Sequence, residues 1–91
     1  MRLFKSIDEK LADIGFKKIA DNEYYVAYKR DAPEENFTQR LDIVRKARGC
    51  HIVQSYDEDL RDVDNIGNVC VGLTALEMRL ALKKMRQKGW Y

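Results

Sequence analysis

The chain has 91 residues and a mass of 10.7 kDa, which is enough for one hydrophobic core and too little for two domains. Its apolar fraction of 45% and charged fraction of 35% are ordinary for a globular protein and exclude a disordered chain or a disulfide-rich miniprotein. Seventeen Lys and Arg against fifteen Asp and Glu leave a net charge of +2, so the chain as a whole has no strong preference for nucleic acid or anionic membrane. We expect one domain spanning residues 1–91.

The N-terminal segment predicts a helix from near Ser6 to Ile14. It begins with a capping-box sequence, Ser6-Ile7-Asp8-Glu9, in which a hydroxyl and a carboxylate can each satisfy a free amide. Apolar residues then recur on one helical face, at Ile7, Leu11 and Ile14. Gly15 suits the left-handed conformation that often ends a helix.

The middle of the chain predicts two hairpins, because its segments are rich in β-branched and aromatic residues. Residues 16–20 and 24–30 flank Asp21-Asn22 and form the first; Tyr24, Val26 and Tyr28 share one face of its second strand. Residues 37–46 and 51–56 flank Arg48-Gly49 and form the second. A two-residue turn there would place four residues on one common face: Leu41, Ile43, Ile52 and Tyr56. We interpret residues 31–36 and the acidic residues 57–64 as loops, and residues 69–71 as a brief edge strand.

The C-terminal segment predicts a second helix. It begins with a capping box, Thr74-Ala75-Leu76-Glu77, and ends before Gly89. On a helical projection five apolar residues form one arc, which we expect to face the core: Ala75, Met78, Ala81, Leu82 and Met85. The whole chain therefore predicts an α+β fold, in which an antiparallel sheet of three or four strands is packed by N- and C-terminal helices.

Two leucines of this last helix, Leu76 and Leu80, fall outside that arc. With Trp90 and Tyr91 they form a candidate surface for a protein partner or for a second copy in a homodimer. The alternative is a wide buried face that includes both leucines, with the cationic side chains extending past its edge. Our leading functional hypothesis is a non-enzymatic protein-interaction or accessory module.

The alternative function is nucleic-acid binding by a basic strip on the same helix, formed by Arg79, Lys83 and Arg86. Residues 75–91 carry five cations and one anion, or +4, which offsets the −4 of residues 57–64. The tyrosine-bearing sheet, beside Lys29, Arg30, Arg40 and Arg45, would add stacking to charge. Both features also have structural explanations, since a basic last turn complements the helix dipole and tyrosines can pack under a helix.

The sequence predicts neither an enzyme nor a cofactor-binding protein. Cys50 and His51 are adjacent, and adjacent residues of a strand point to opposite faces. The aspartates of residues 57–64 do not match a calcium loop, and the five glycines form no phosphate-binding motif. Cys50 and Cys70 are not spaced as zinc ligands, and we expect both to be buried and reduced. No apolar run spans a membrane and no signal peptide is visible, so we expect a cytoplasmic protein without membrane partners.

Three segments follow one another in a recognisable order: residues 11–17, residues 23–28, and Gly72-Leu73-Thr74 opening a final helix that ends at Gly89-Trp90. This order resembles that of small uncharacterised proteins of phages and prophages of Gram-positive bacteria. This resemblance implies an accessory protein acting inside the infected cell, where binding a host or phage component is commoner than catalysis. It assigns no functional residue.

Overall fold

The computed structural model describes residues 5–32, 37–58 and 69–90. Its elements in chain order are α1 (Ile7–Asp13), β1 (Lys17–Asp21), β2 (Tyr25–Ala32), β3 (Phe37–Val44), β4 (Ile52–Asp57), β5 (Val69–Cys70) and α2 (Ala75–Gln87). The predicted α+β class is confirmed, because four antiparallel strands form the sheet and the two helices lie at the ends of the chain. β5 adds a two-residue edge strand, in the place that residues 69–71 predicted.

The strands lie in the sheet in the order in which they occur in the chain, β1-β2-β3-β4-β5, and each pairs antiparallel with the next. β2 and β3 pair along their whole length, from Tyr25 opposite Val44 to Ala32 opposite Phe37. The register of β1 shifts between Lys18 and Ala20, which is the local irregularity of a bulge.

Both helices pack on one face of this sheet, and the core lies between the two layers. The strands contribute Val26, Tyr28, Leu41 and Ile43, and the rest of the core comprises Leu11, Phe16, Leu80, Ala81, Met85 and Trp90. The predicted inward face of α1 is confirmed, since Leu11 is fully buried while Ile7 and Ile14 pack against the core. Val26 and Tyr28 share the core face of β2, as the period-2 pattern predicted.

The ends of α1 follow from its caps. The Ser6 hydroxyl accepts a hydrogen bond from the Glu9 N–H at 3.1 Å, and Gly15 has a φ of +98°. A Cβ on Gly15 would lie 2.9 Å from Cδ of Arg30, so glycine is required there by both backbone conformation and space. At α2 the complete capping box is confirmed, with Thr74 and Glu77 exchanging hydrogen bonds of 3.0 and 3.1 Å.

The predicted core face of α2 is wrong for three of its five residues, because Ala75, Met78 and Leu82 are exposed. Its buried residues are Glu77, Leu80, Ala81, Lys84 and Met85, whereas Met78 and Leu82 are each 40% exposed. Two charged residues occupy the core face, so a projection based on apolar residues alone rotates the helix away from its true orientation.

Ion pairs explain how those two charged residues are buried. Glu77 Oε2 lies 2.9 Å from Nη2 of Arg30, and Nζ of Lys84 lies 3.3 Å from Oδ1 of Asp8. The same Asp8 carboxylate accepts hydrogen bonds from the Tyr28 hydroxyl at 2.6 Å and from Lys18 at 2.9 Å. Partial burial works against the charge of Asp8, but these hydrogen bonds and the charge of Lys84 prevail and lower its pKa to about 2.

The predicted common face of the second hairpin is also wrong. Leu41 and Ile43 face the helices, opposite Ser55 and Val53, and so Ile52 and Tyr56 point to the other face. The connection is longer than a two-residue turn and contains a 3₁₀ turn, Ala47–Gly49. Because side chains alternate along a strand, a register shift of one residue exchanges the faces.

Cys50 is exposed, so its predicted burial is wrong. Other predictions lie outside the described residues: the acidic residues 59–64, the loop residues 33–36, Tyr91, and the side chain of Cys70. The relation between the acidic segment and the basic helix therefore stays a prediction.

Candidate functional site

The predicted partner-binding surface is not assembled on α2. Leu80 is 1% exposed and Trp90 is 8% exposed, because both belong to the core. Leu76 is 46% exposed, and Tyr91 lies outside the described residues. The wide buried face that was the alternative interpretation thus includes Leu80 but not Leu76.

The predicted basic strip is exposed as a unit. Arg79, Lys83 and Arg86 all lie on the side of α2 that faces away from the core, and none makes an ion pair with a described residue. The two surfaces of the predicted nucleic-acid site do not adjoin, however. The sheet separates the strip from the face on which other cations and tyrosines lie.

That second surface is the face of the sheet on which neither described helix packs, called the open face below. Side chains alternate along β2, β3 and β4, so the open face receives the residues whose neighbours enter the core. It carries Tyr25, Ala27, Lys29 and Asp31 of β2, Thr38, Arg40, Asp42 and Val44 of β3, and Ile52, Gln54 and Tyr56 of β4. Of these, Ala27, Asp42 and Tyr56 are buried. Arg30 and Tyr28, which the sequence predicted on one tyrosine-bearing surface, both lie on the helix side, where Tyr28 is buried in the core and Arg30 pairs with Glu77.

A row of three cations crosses the open face. The register places Lys17 opposite Lys29 and Lys29 opposite Arg40, on three adjacent strands. Arg40 is compensated by Asp42 at 2.9 Å and by Glu58 at 2.8 Å, whereas Lys17 and Lys29 are exposed and make no ion pair with a described residue. Like charges directly opposite one another destabilise a sheet, so the Lys17–Lys29 pair costs folding energy that a bound anion would offset.

Two depressions adjoin at the end of the open face where β2 begins and β3 ends. The larger, about 500 Å³, is lined by Tyr24, Tyr25, Arg40, Asp42, Val44, Arg45, Lys46 and Tyr56. The smaller, about 370 Å³, is lined by Tyr24, Arg45, Lys46, Ala47, Gly49, His51, Gly89 and Trp90. Both therefore share one aromatic ring and two cations.

Local backbone bonds hold the shared ring and cations together. The Asn22 side chain accepts from the Tyr24 and Tyr25 N–H groups at 2.8 and 3.0 Å, and the Arg45 N–H donates to the Tyr24 carbonyl at 2.8 Å. Tyr24 remains 67% exposed. Arg45 and Lys46 are exposed and make no ion pair with a described residue, so their charges are available to a ligand.

His51 joins the smaller depression to the end of α2. Its Nδ1 accepts from the Lys46 N–H at 3.0 Å, so Nε2 carries the proton and donates to the Trp90 carbonyl at 2.6 Å. Both ring nitrogens are therefore occupied, and neither is placed as a base for the adjacent Cys50. His51 therefore has a structural role, because it links the connection after β3 to the residues that follow α2.

Asp42 forms the floor of the larger depression and is likewise occupied. Its carboxylate accepts from Arg40 Nε, from the Tyr56 hydroxyl at 2.9 Å and from Gln54. Burial works against the charge of Arg40, yet the negative charges of Asp42 and Glu58 prevail and its pKa is raised. The floor is thus a compensated network, while the uncompensated cations lie around it.

Within the described residues, no group of His, Cys, Asp or Glu is arranged to hold a metal ion. No described helix is both long and apolar enough to cross a bilayer.

Sequence reasoning found Lys29, Arg40 and Arg45 but missed Lys17 and Lys46. Lys17 joins the open face only through the register of β1 with β2, and Lys46 only through the irregular connection after β3. Comparison with known proteins adds no assignment, since no family model, no curated protein and no solved structure matches the chain.

Proposed function

We propose that the protein is a non-enzymatic binding module whose open face binds single-stranded nucleic acid. One observation carries the proposal: the two exposed tyrosines, Tyr24 and Tyr25, lie beside one of two groups of cations that have no ion-pair partner among the described residues. Lys17 and Lys29 form one group, and Arg45 and Lys46 form the other. Burial of Leu80 and Trp90 removes the main support for a partner surface on α2. Nucleic-acid binding therefore becomes the leading proposal, and protein recognition becomes the second.

The spacing of the two groups suits a short strand. Lys29 is opposite Arg40, which lies five residues before Arg45, or roughly 16 Å along an extended chain. A strand whose phosphates reached both groups would pass Tyr24 and Tyr25 at the Arg45 end, where bases can stack on rings that are 67% and 37% exposed. Stacking on an aromatic ring contributes about 1–3 kcal/mol per base and tolerates any base. We expect weak sequence preference and a site of about four nucleotides.

Fluorescence anisotropy with labelled single-stranded DNA and RNA 12-mers tests the proposal. Four phosphate contacts give a salt slope near −0.7 per contact, so affinity should fall about fifty-fold between 50 and 200 mM salt. Tyr24→Ala should weaken binding by roughly 5- to 150-fold, and Tyr24→Phe should retain most of the affinity. Absence of binding at 50 mM salt would contradict the proposal, because phosphate contacts are strongest at low salt.

A matched pair of variants separates the open face from overall charge. Arg45→Glu/Lys46→Glu and Arg79→Glu/Lys83→Glu both change the net charge from +2 to −2, since each replaces two cations by two anions. Only the first should abolish single-strand binding. Equal losses in both variants would show that net charge, and not this surface, attracts the oligonucleotide.

A second candidate function is protein recognition, and one observation favours it. Met78 and Leu82 lie one turn apart on a flank of α2, each 40% exposed, and Leu76 is exposed on the other flank. We propose them as the contact for a protein partner or a homodimer in place of the buried residues. Sedimentation equilibrium of the wild type and of Met78→Glu/Leu82→Glu tests self-association; a monomeric wild type removes the homodimer.

The setting proposed for both functions is the cytoplasm, where the chain would serve as an accessory protein of a phage or prophage. The phage or prophage origin rests on the sequence resemblance alone.

A further inference from the structure

The outer side of α2 carries a straight row of cations that the fold does not use. Arg79, Lys83 and Arg86 occupy positions i, i+4 and i+7, so their backbones span about 10.5 Å along the helix axis. All three are exposed, and none forms an ion pair with a described residue. The single acid of the helix, Glu77, is buried on the opposite side and pairs with Arg30.

The helix dipole explains only part of this row. Favourable interaction with the dipole is confined to the last turn, where Arg86 lies. Arg79 is the fifth residue of a thirteen-residue helix and Lys83 the ninth, so both lie outside that region. Their mutual repulsion is left without an intramolecular partner in the described part of the chain.

The row and the open face point in opposite directions. The sheet and the body of α2 lie between them, and the shortest dimension of the molecule is 22 Å. The Debye length is about 8 Å at physiological ionic strength, so an anion bound on one surface is largely screened from an anion on the other. Both surfaces can therefore be occupied together.

The chemistry of the two surfaces differs as well. Tyr25 on the open face and Tyr24 at its end are exposed and can stack on unpaired bases, whereas α2 contains no aromatic residue. A row of cations without rings suits a ligand whose bases are already stacked and whose phosphates lie outside. A nucleic-acid duplex is a ligand of this kind.

We propose that the outer side of α2 contacts the phosphate backbone of a duplex while the open face holds a single strand, so that one molecule bridges the two. This inference rests on the function proposed for the open face. Three phosphate contacts on B-form DNA give a salt slope near −0.9 per contact. Duplex affinity should therefore fall about forty-fold between 50 and 200 mM salt.

A capture assay tests the bridge. An immobilised single-stranded DNA 12-mer is incubated with the protein and then with a labelled 20-base-pair DNA duplex at 50 mM salt. We expect capture by the wild type. Arg79→Glu/Lys83→Glu should retain the protein on the single strand but lose the duplex at least ten-fold. Arg45→Glu/Lys46→Glu should leave the immobilised strand while still binding duplex in a direct anisotropy titration.

The outcomes separate the two proposals. If the wild type binds the single strand but not the duplex, the bridge is refuted and the open-face function stands. If it binds neither, the open-face function fails as well. If capture requires two copies, as shown by a dimer in sedimentation and by dependence on the square of the protein concentration, bridging by one molecule is refuted.

Discussion

Leu76 and Leu80 provide a direct test of the orientation of α2, because they are the same residue type one turn apart on one helix. Leu80 is 1% exposed and lies in the core, whereas Leu76 is 46% exposed. Replacing leucine by alanine removes three carbon groups, which contribute about 0.8 kcal/mol each when buried. For Leu80→Ala this gives about 2.4 kcal/mol, and the cavity left behind raises the expected loss to about 3 kcal/mol.

The Leu76 side chain is only about half buried, so Leu76→Ala removes about half as much buried surface as Leu80→Ala and leaves no enclosed cavity. We therefore expect Leu76→Ala to lower the free energy of unfolding by about 1 kcal/mol. Urea unfolding measures both values, with the buried Trp90 as a fluorescent probe. With a slope of about 1.5 kcal/mol per molar urea, the midpoint of Leu80→Ala should fall by about 2 M and that of Leu76→Ala by less than 1 M. Equal losses would refute the orientation of the helix and restore the leucine surface predicted from the sequence.

Three further predictions concern charge and backbone conformation. The pKa of Asp8 is about 2 in the folded state against 3.8 in the unfolded chain, so the unfolded state binds more protons between these values. The free energy of unfolding should therefore fall as pH drops from about 4 to 2. The expected loss is about 1 kcal/mol, after allowance for solvent screening of a partly exposed group. In an acid titration the Asp8→Asn variant should lack this pH-dependent loss. Glu77→Ala removes the partner of Arg30 and one half of a cap, and thermal unfolding should show a loss of about 2–3 kcal/mol; a loss below 0.5 kcal/mol would contradict the buried pair. Gly15→Ala and Gly49→Ala both strain a left-handed backbone at about 1 kcal/mol, but only the first also approaches the Arg30 side chain, so chemical denaturation should show the larger loss there.

Local rules were sufficient for the elements that begin and end with recognisable residues. Ser6 and Thr74 accept the hydrogen bonds that the capping patterns predicted, and Gly15 takes the left-handed conformation. The alternation of β2 placed Val26 and Tyr28 correctly in the core. These features depend on residues within a few positions of one another, so the sequence contains all the information they require.

The errors occurred where distant residues decide the outcome. Glu77 and Lys84 are buried because Arg30 and Asp8 approach from other elements, and their burial turns α2 away from the orientation that apolar periodicity indicates. Tyr56 lies on the face opposite to the predicted one because the connection before β4 is longer than the predicted turn.

The candidate site follows the same division. Its cations and tyrosines are visible in the sequence, and the near-neutral net charge of +2 correctly excluded a uniformly basic protein. Which cations remain uncompensated is a property of the fold. Sheet register brings Lys17 beside Lys29, and ion pairs remove Arg40 and Arg30 from the set.

The sequence by itself determined the α+β class, with two capped helices at the ends of an antiparallel sheet segment. Tertiary structure alone decided which face of each element is buried and which charges remain for a ligand. The physical reason is range: caps and side-chain alternation act within one turn or strand. Burial of a charge, by contrast, depends on a partner that folding brings from elsewhere in the chain.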